Sequence, residues 1–142
     1  MRTIKFRGLD RANEEWIYGG LIITNGDYHI LEECITEAHN YNKVDKESVG
    51  QFTGLYDING VEIYEGDIVV REKDKEHSDK YIVDHKQGMF VMCNYDYGDI
   101  SVIALNCYIE SDIHIKKYKS EEDRINCNKV LLKVIGNKYE NK

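Results

Sequence analysis

The sequence predicts a mainly β protein built from small barrels, with one or two short helices, and three observations carry that expectation. Eleven tyrosines and eleven glycines are scattered among short apolar runs while proline is absent, which suits pleated strands joined by tight turns. The dipeptide Asn-Gly occurs twice, at Asn25-Gly26 and Asn59-Gly60, and both residues tolerate the positive φ angles of a hairpin turn. Near the start, Ile4 and Phe6 alternate with Lys5 and Arg7, the period of a strand with one apolar and one basic face.

Taken in order, residues 4–7 read as a first strand, and the polar break 10–15 precedes a second over 16–23. Asn25-Gly26 turns the chain, and 28–33 returns. Leu31, Cys34, Ile35 and Ala38 have helical spacing, so a helical turn is expected within 34–47, although no N-cap residue introduces it. A short strand over 49–53 leads to the second Asn-Gly turn and the long run 61–71. Residues 71–80 alternate charge signs without an apolar side chain and read as a solvated loop. Further strands are expected over 81–85, 89–94 and 100–109, punctuated by Gly88 and Gly98. Ser120 with Asp123 forms a capping box, predicting a short helix over 121–127 before a last strand at 130–135.

Length and charge bound the function. The 142 residues suit one domain, 1–142, with a division into 1–47 and a barrel part at 48–142 as the finer expectation. Nineteen basic against 26 acidic side chains give a net charge of -7, the wrong sign for a surface devoted to phosphate backbones. Mean hydropathy is -0.57 and no long apolar run exists, so no membrane span is expected. The charged N-terminal stretch does not read as a secretory signal, which makes the cytoplasm the expected compartment. Cysteines at 34, 93, 107 and 127 lack close paired spacing and are expected as reduced, buried thiols rather than metal ligands.

An internal echo aligns Ile17-Tyr18-Gly19-Gly20-Leu21-Ile22-Ile23 with Ile63-Tyr64-Glu65-Gly66-Asp67-Ile68-Val69, with Asn13 opposite Asn59. It reads either as duplication of a small barrel or as two turn-then-strand segments of similar composition.

Four blocks in series carry a family resemblance. They are Ile4-Lys5-Phe6-Arg7; Val49-Gly50-Gln51-Phe52-Thr53-Gly54-Leu55 with Asp57 and Asn59-Gly60; Ile63-Tyr64-Glu65-Gly66-Asp67-Ile68-Val69; and Val134-Ile135-Gly136-Asn137 with Tyr139-Glu140-Asn141. Together they resemble the YopX family of phage and prophage proteins. The resemblance implies a mostly β protein of phage origin in a host cell, with SH3-like barrel elements, self-associating and without a characterised activity. Gly8-Leu9 depart from the family pattern, which more often has a small residue and an aromatic one there.

Three kinds of chemistry compete for the remaining signals. Asp57, Glu65 and Asp67, with Glu62 nearby, form an acidic block that a divalent cation or a metal-dependent enzyme would use. The glycine of Asp57-Ile58-Asn59-Gly60 falls fourth, however, which excludes an EF-hand loop. The favoured reading makes Gly54, Asp57, Asn59, Gly60, Glu65, Gly66 and Asp67 a structural turn motif, Gly66 permitting a bend and Asp67 bonding across it. Lys5, Arg7 and Arg11 are candidate phosphate contacts, with tyrosines as stacking platforms. Pairing of these cations with surface acids is favoured over nucleic-acid binding. Cys34 with His39, or Cys93 with His85, would make a nucleophile and base only if folding aimed one at the other. Trp16 and tyrosines 18, 64, 81 and 108 read as core or interface aromatics. With neither a phosphate-cradling glycine loop nor a dinucleotide fingerprint, no cofactor is expected. The expectation is a non-enzymatic homo-oligomer that binds a host or phage protein.

Overall fold

The computed structural model describes residues 3–32, 41–72, 78–94, 103–104 and 132–140, and the chain divides into two compact units, Met1–Phe52 and Thr53–Lys142. Among the described residues the secondary structure is almost entirely antiparallel β.

In the first unit the strands are β1 (Phe6–Asp10), β2 (Glu15–Thr24), β3 (Asp27–Leu31), β4 (Tyr41–Val44) and the start of β5 (Gly50–Tyr56), in the sheet order β4-β3-β2-β1-β5. The β1–β2 turn is held by Asp10, whose carboxylate accepts from the Ala12 N–H at 2.8 Å and from Asn13 Nδ2 at 3.1 Å. β2 changes partner along its length: Glu15 to Gly19 pair with β1, and Gly20 to Thr24 pair with β3. Glycine is required at that change of partner, because a Cβ on Gly19 would lie 2.0 Å from the Leu31 carbonyl oxygen. Beyond β4, the Asp45 N–H donates to the Leu9 carbonyl at 2.9 Å, bringing the strand's end back to β1. Val44 consequently lies over Gly8, where a Cβ would meet its Cγ2 at 2.6 Å. The sheet so curled encloses Ile17, Ile30 and Val44, packed by Phe6, Leu21, Tyr28 and Val49, as a small barrel-like core.

Of the stretch 34–47, where a helical turn is expected, residues 33–40 lie outside the described residues, and the rest holds strand over Tyr41–Val44 and a single 3₁₀ turn at Lys46–Ser48. A cap does exist, but for the 3₁₀ turn and beyond the spaced residues: Asp45 accepts from the Glu47 N–H at 3.1 Å.

The second unit contains the rest of β5, β6 (Glu62–Tyr64), β7 (Asp67–Glu72), β8 (Ser78–Lys86), β9 (Met89–Asn94), β10 (Ile103–Ala104) and β11 (Lys133–Asn137). β6 lies along β5, and the other strands form a sheet in the order β10-β9-β8-β7-β11. Its core joins Ile63, Val69, Tyr81, Val83, Met92 and Leu132, with Leu55, Phe90 and Val134 against them. In β7 the successive residues Ile68, Val69 and Val70 are all buried, which explains a continuous rather than alternating apolar run.

Several boundaries differ from expectation. Within the run 61–71, Glu65-Gly66 turn the chain as the turn motif predicts, with φ of +84° at Gly66, so that β6 and β7 are separate strands. The loop at 71–80 is shorter than its polarity suggested, since Arg71 pairs with Asp79 and Glu72 with Ser78 in the β7–β8 ladder. Backbone hydrogen bonding there overrides side-chain composition. Of 100–109 only Ile103–Ala104 is described, and the helix expected at 121–127 lies outside the described residues. The internal echo does not mark a repeated local structure: 17–23 lies within one strand, whereas 63–69 is strand, turn, strand. Tyr18 is 41% exposed while its counterpart Tyr64 is 2% exposed, so equal letters hold opposite places.

Candidate functional site

The signature residues of the second unit converge on three polar side chains that bind backbone. Asp57 is 1% exposed. One carboxylate oxygen accepts from the N–H groups of Asn59 at 2.8 Å and Val61 at 2.9 Å, and the other from Val134 at 3.1 Å, 77 residues away. Its own main chain closes the turn, donating to the Val61 carbonyl at 2.8 Å and accepting from the Gly60 N–H at 3.0 Å. Ile58 donates to the Leu132 carbonyl at 2.9 Å. The 57–61 turn therefore covers part of β11, whose backbone groups would otherwise be a pairing edge.

Asp67, equally buried, accepts from the Tyr64 N–H at 2.8 Å across the Glu65-Gly66 turn. Gly66 is fixed between neighbours: its N–H donates to the Val83 carbonyl at 2.8 Å and its carbonyl accepts from Lys138 at 2.9 Å. A Cβ there would come within 2.9 Å of the Tyr139 ring, so glycine is needed for space as well as for its positive φ. Asn137 completes the set, its side-chain oxygen accepting from Tyr139 at 2.9 Å and Glu140 at 3.2 Å. Gly54, with φ of +83°, lies within β5 next to Thr53, whose hydroxyl donates to the Ile63 carbonyl at 2.8 Å. Glu65 occupies the turn beside Gly66. In this arrangement the oxygens a cation would need at Asp57 already face amide hydrogens. Among the described residues no three acids, histidines or cysteines gather as a metal site.

The basic candidates separate. Arg7 is 5% exposed, with its guanidinium 4.6 Å from the centre of the Trp16 ring. Lys5 lies 5.8 Å over Tyr18. Arg11 points elsewhere, its Nε donating to Asp45 at 2.7 Å at the mouth of a shallow cleft of about 390 Å³ lined by Asp10, Arg11, Ala12, Lys43, Val44 and Asp45. The alternation in 4–7 does put Lys5 and Arg7 on one face, but that face stacks its cations on aromatic rings instead of exposing a stripe.

Cys93 and His85 do not meet. His85 stands edge-on to Phe90 at 5.2 Å, while Cys93 pairs across the ladder with Ile82 and so projects from the opposite sheet face. Cys93 is a half-buried free thiol; the pair Cys34 and His39 lies outside the described residues.

Ser48 and Asn137 were not singled out by sequence reasoning. Fully buried Ser48 accepts from the Leu9 N–H at 2.7 Å and donates to the Asp45 carbonyl at 2.6 Å, tying the 3₁₀ turn to β1. Its spacing from Asp45 was the available signal, whereas Asn137 was visible only as the end of a recognised block.

These features define a mainly β protein whose most recognisable polar residues cap turns. The YopX protein family model matches residues 5–142, and the chain belongs to that family. A solved structure, protein EF1440 from Enterococcus faecalis, is similar over 99% of this chain and 96% of its own, with a TM-score of 0.53 and 21% sequence identity, a likeness of fold. No curated protein matches the chain. No helix among the described residues is long and apolar enough to cross a membrane.

Proposed function

We propose that the chain is a non-enzymatic phage or prophage accessory protein that self-associates and binds a host or phage protein in the cytoplasm. The observation that carries this reading is a set of large apolar side chains presented outward: Tyr18, Ile23 and Tyr41 in the first unit, and Ile58, Val61, Met89 and Ile135 in the second. An apolar group left in water gains by burial against a partner, which makes these side chains the candidate contacts. Each unit keeps its signature polar groups for its own backbone and offers its outer apolar groups for association.

We assign the SH3-like barrel to the first unit rather than to 48–142, where the sequence put it: the pairing order β4-β3-β2-β1-β5, the change of partner within β2 and the 3₁₀ turn between β4 and β5 support this reading. Such barrels serve as contact modules, although fold alone does not choose the partner. Nucleic-acid binding is the weaker reading: Lys5 beside half-exposed Tyr18 favours it, while buried Arg7 and the net charge of -7 oppose it. A metal-dependent enzyme using Asp57, Glu65 and Asp67 is weaker still, because the first and last bind amides.

The test is affinity capture from host lysate, with and without nuclease, identifying both proteins and nucleic acids. A stoichiometric protein retained after nuclease is expected. Recovery that nuclease abolishes would overturn the reading in favour of the Lys5 face, as would salt-dependent oligonucleotide binding weakened by Lys5→Ala with Arg7→Ala.

A further inference from the structure

The two Asn-Gly pairs look alike in sequence and occupy different turn positions. Asn25 and Gly26 are the two central residues of the β2–β3 hairpin, with φ of +52° and +83°, between the paired residues Thr24 and Asp27. In a two-residue loop of this hand the closing hydrogen bonds belong to the flanking residues, which leaves the Gly26 N–H at the tip. Both residues are exposed, and no heavy atom lies within 4 Å of a Cβ built on Gly26. Asn59-Gly60 sits one place later in its turn. There the Gly60 N–H donates to the Asp57 carbonyl at 3.0 Å, and the Asn59 N–H is held by the Asp57 carboxylate at 2.8 Å.

We propose that Asn25, in preference to Asn59, is the site at which the folded chain deamidates. The Gly26 nitrogen loses its proton and attacks Asn25 Cγ. A nitrogen–carbon bond forms, the side-chain carbon–nitrogen bond breaks, and ammonia leaves with that proton, giving a five-membered imide. Water then opens the ring to aspartate or isoaspartate, with no oxidant or reductant involved. At Gly60 the same nitrogen must first give up its hydrogen bond inside the turn, and the asparagine on which the ring would form is anchored by Asp57. Isoaspartate at position 25 would add a backbone methylene to the loop and a carboxylate beside Asp27, which holds Lys43 Nζ at 2.9 Å.

The experiment incubates the intact chain at mildly alkaline pH and follows both peptides by mass mapping, with enzymatic isoaspartate methylation as a second readout. A parallel sample is kept in denaturant. Expected is conversion at Asn25 several-fold faster than at Asn59 when folded, with the two rates converging when unfolded. Equal rates in the folded chain, or a faster Asn59, would overturn the proposal. So would a preference that persists unchanged in denaturant, since it would then come from neighbouring side chains and not from turn position.

Discussion

Replacing Asp57 with alanine removes an acceptor from three backbone N–H groups at once, those of Asn59, Val61 and Val134. An orphaned N–H costs about 1–3 kcal/mol when water cannot replace its partner. These three are only partly buried, so the lower part of that range applies and the sum is about 3–5 kcal/mol. That is a large share of the roughly 5–15 kcal/mol that stabilises a small protein. With a urea dependence of about 2 kcal/mol per molar, the unfolding midpoint should fall by about 1.5–2.5 M. Asp57→Asn should fall between, near 1.5–3 kcal/mol, because its carbonyl still serves Asn59 and Val61 while its amide meets the Val134 N–H donor to donor. Urea unfolding followed by far-ultraviolet dichroism measures both. A midpoint shift below about 0.5 M for Asp57→Ala would refute the reasoning.

Other substitutions test the rest of the frame. Ser48→Ala should cost about 1–3 kcal/mol by stranding the Leu9 N–H, measured by the same urea titration. Gly19→Ala should destabilise by about 3 kcal/mol or more, because its Cβ would displace the Leu31 carbonyl, and the loss should appear as reduced soluble yield and a lower midpoint. Arg7→Ala should cost about 1–2 kcal/mol and change the emission of Trp16, the single tryptophan, while Lys5→Ala stays within about 0.5 kcal/mol. Equal effects of the two would contradict the difference in burial.

The hairpins were legible in the sequence where backbone chemistry is local. Asn25-Gly26 and Gln87-Gly88 adopt positive φ and turn β2 into β3 and β8 into β9. The bend at Gly66 and the bond from Asp67 across it were legible for the same reason. What was hidden depends on distant partners. Nothing near Asp57 announces that one of its oxygens reaches Val134, and the polarity of 71–80 conceals a ladder whose bonds are main chain. Arg7 alternates with Phe6 as a solvent-facing residue should, yet Trp16 from the neighbouring strand takes it out of water. Cys93 and His85 are close enough in sequence to invite pairing, but strand register sends them to opposite faces.

Under the proposed function, buried signature residues maintain the frame while outward apolar residues bind, beginning with a second copy of the chain. Native mass measurement across micromolar concentrations tests this most directly, comparing the unaltered chain with Ile23→Ser/Tyr41→Ser and Ile58→Ser/Ile135→Ser. The predicted result is an oligomer that at least one double substitution dissociates while the far-ultraviolet spectrum stays unchanged. A monomer at every concentration, or an oligomer indifferent to both pairs, would contradict it.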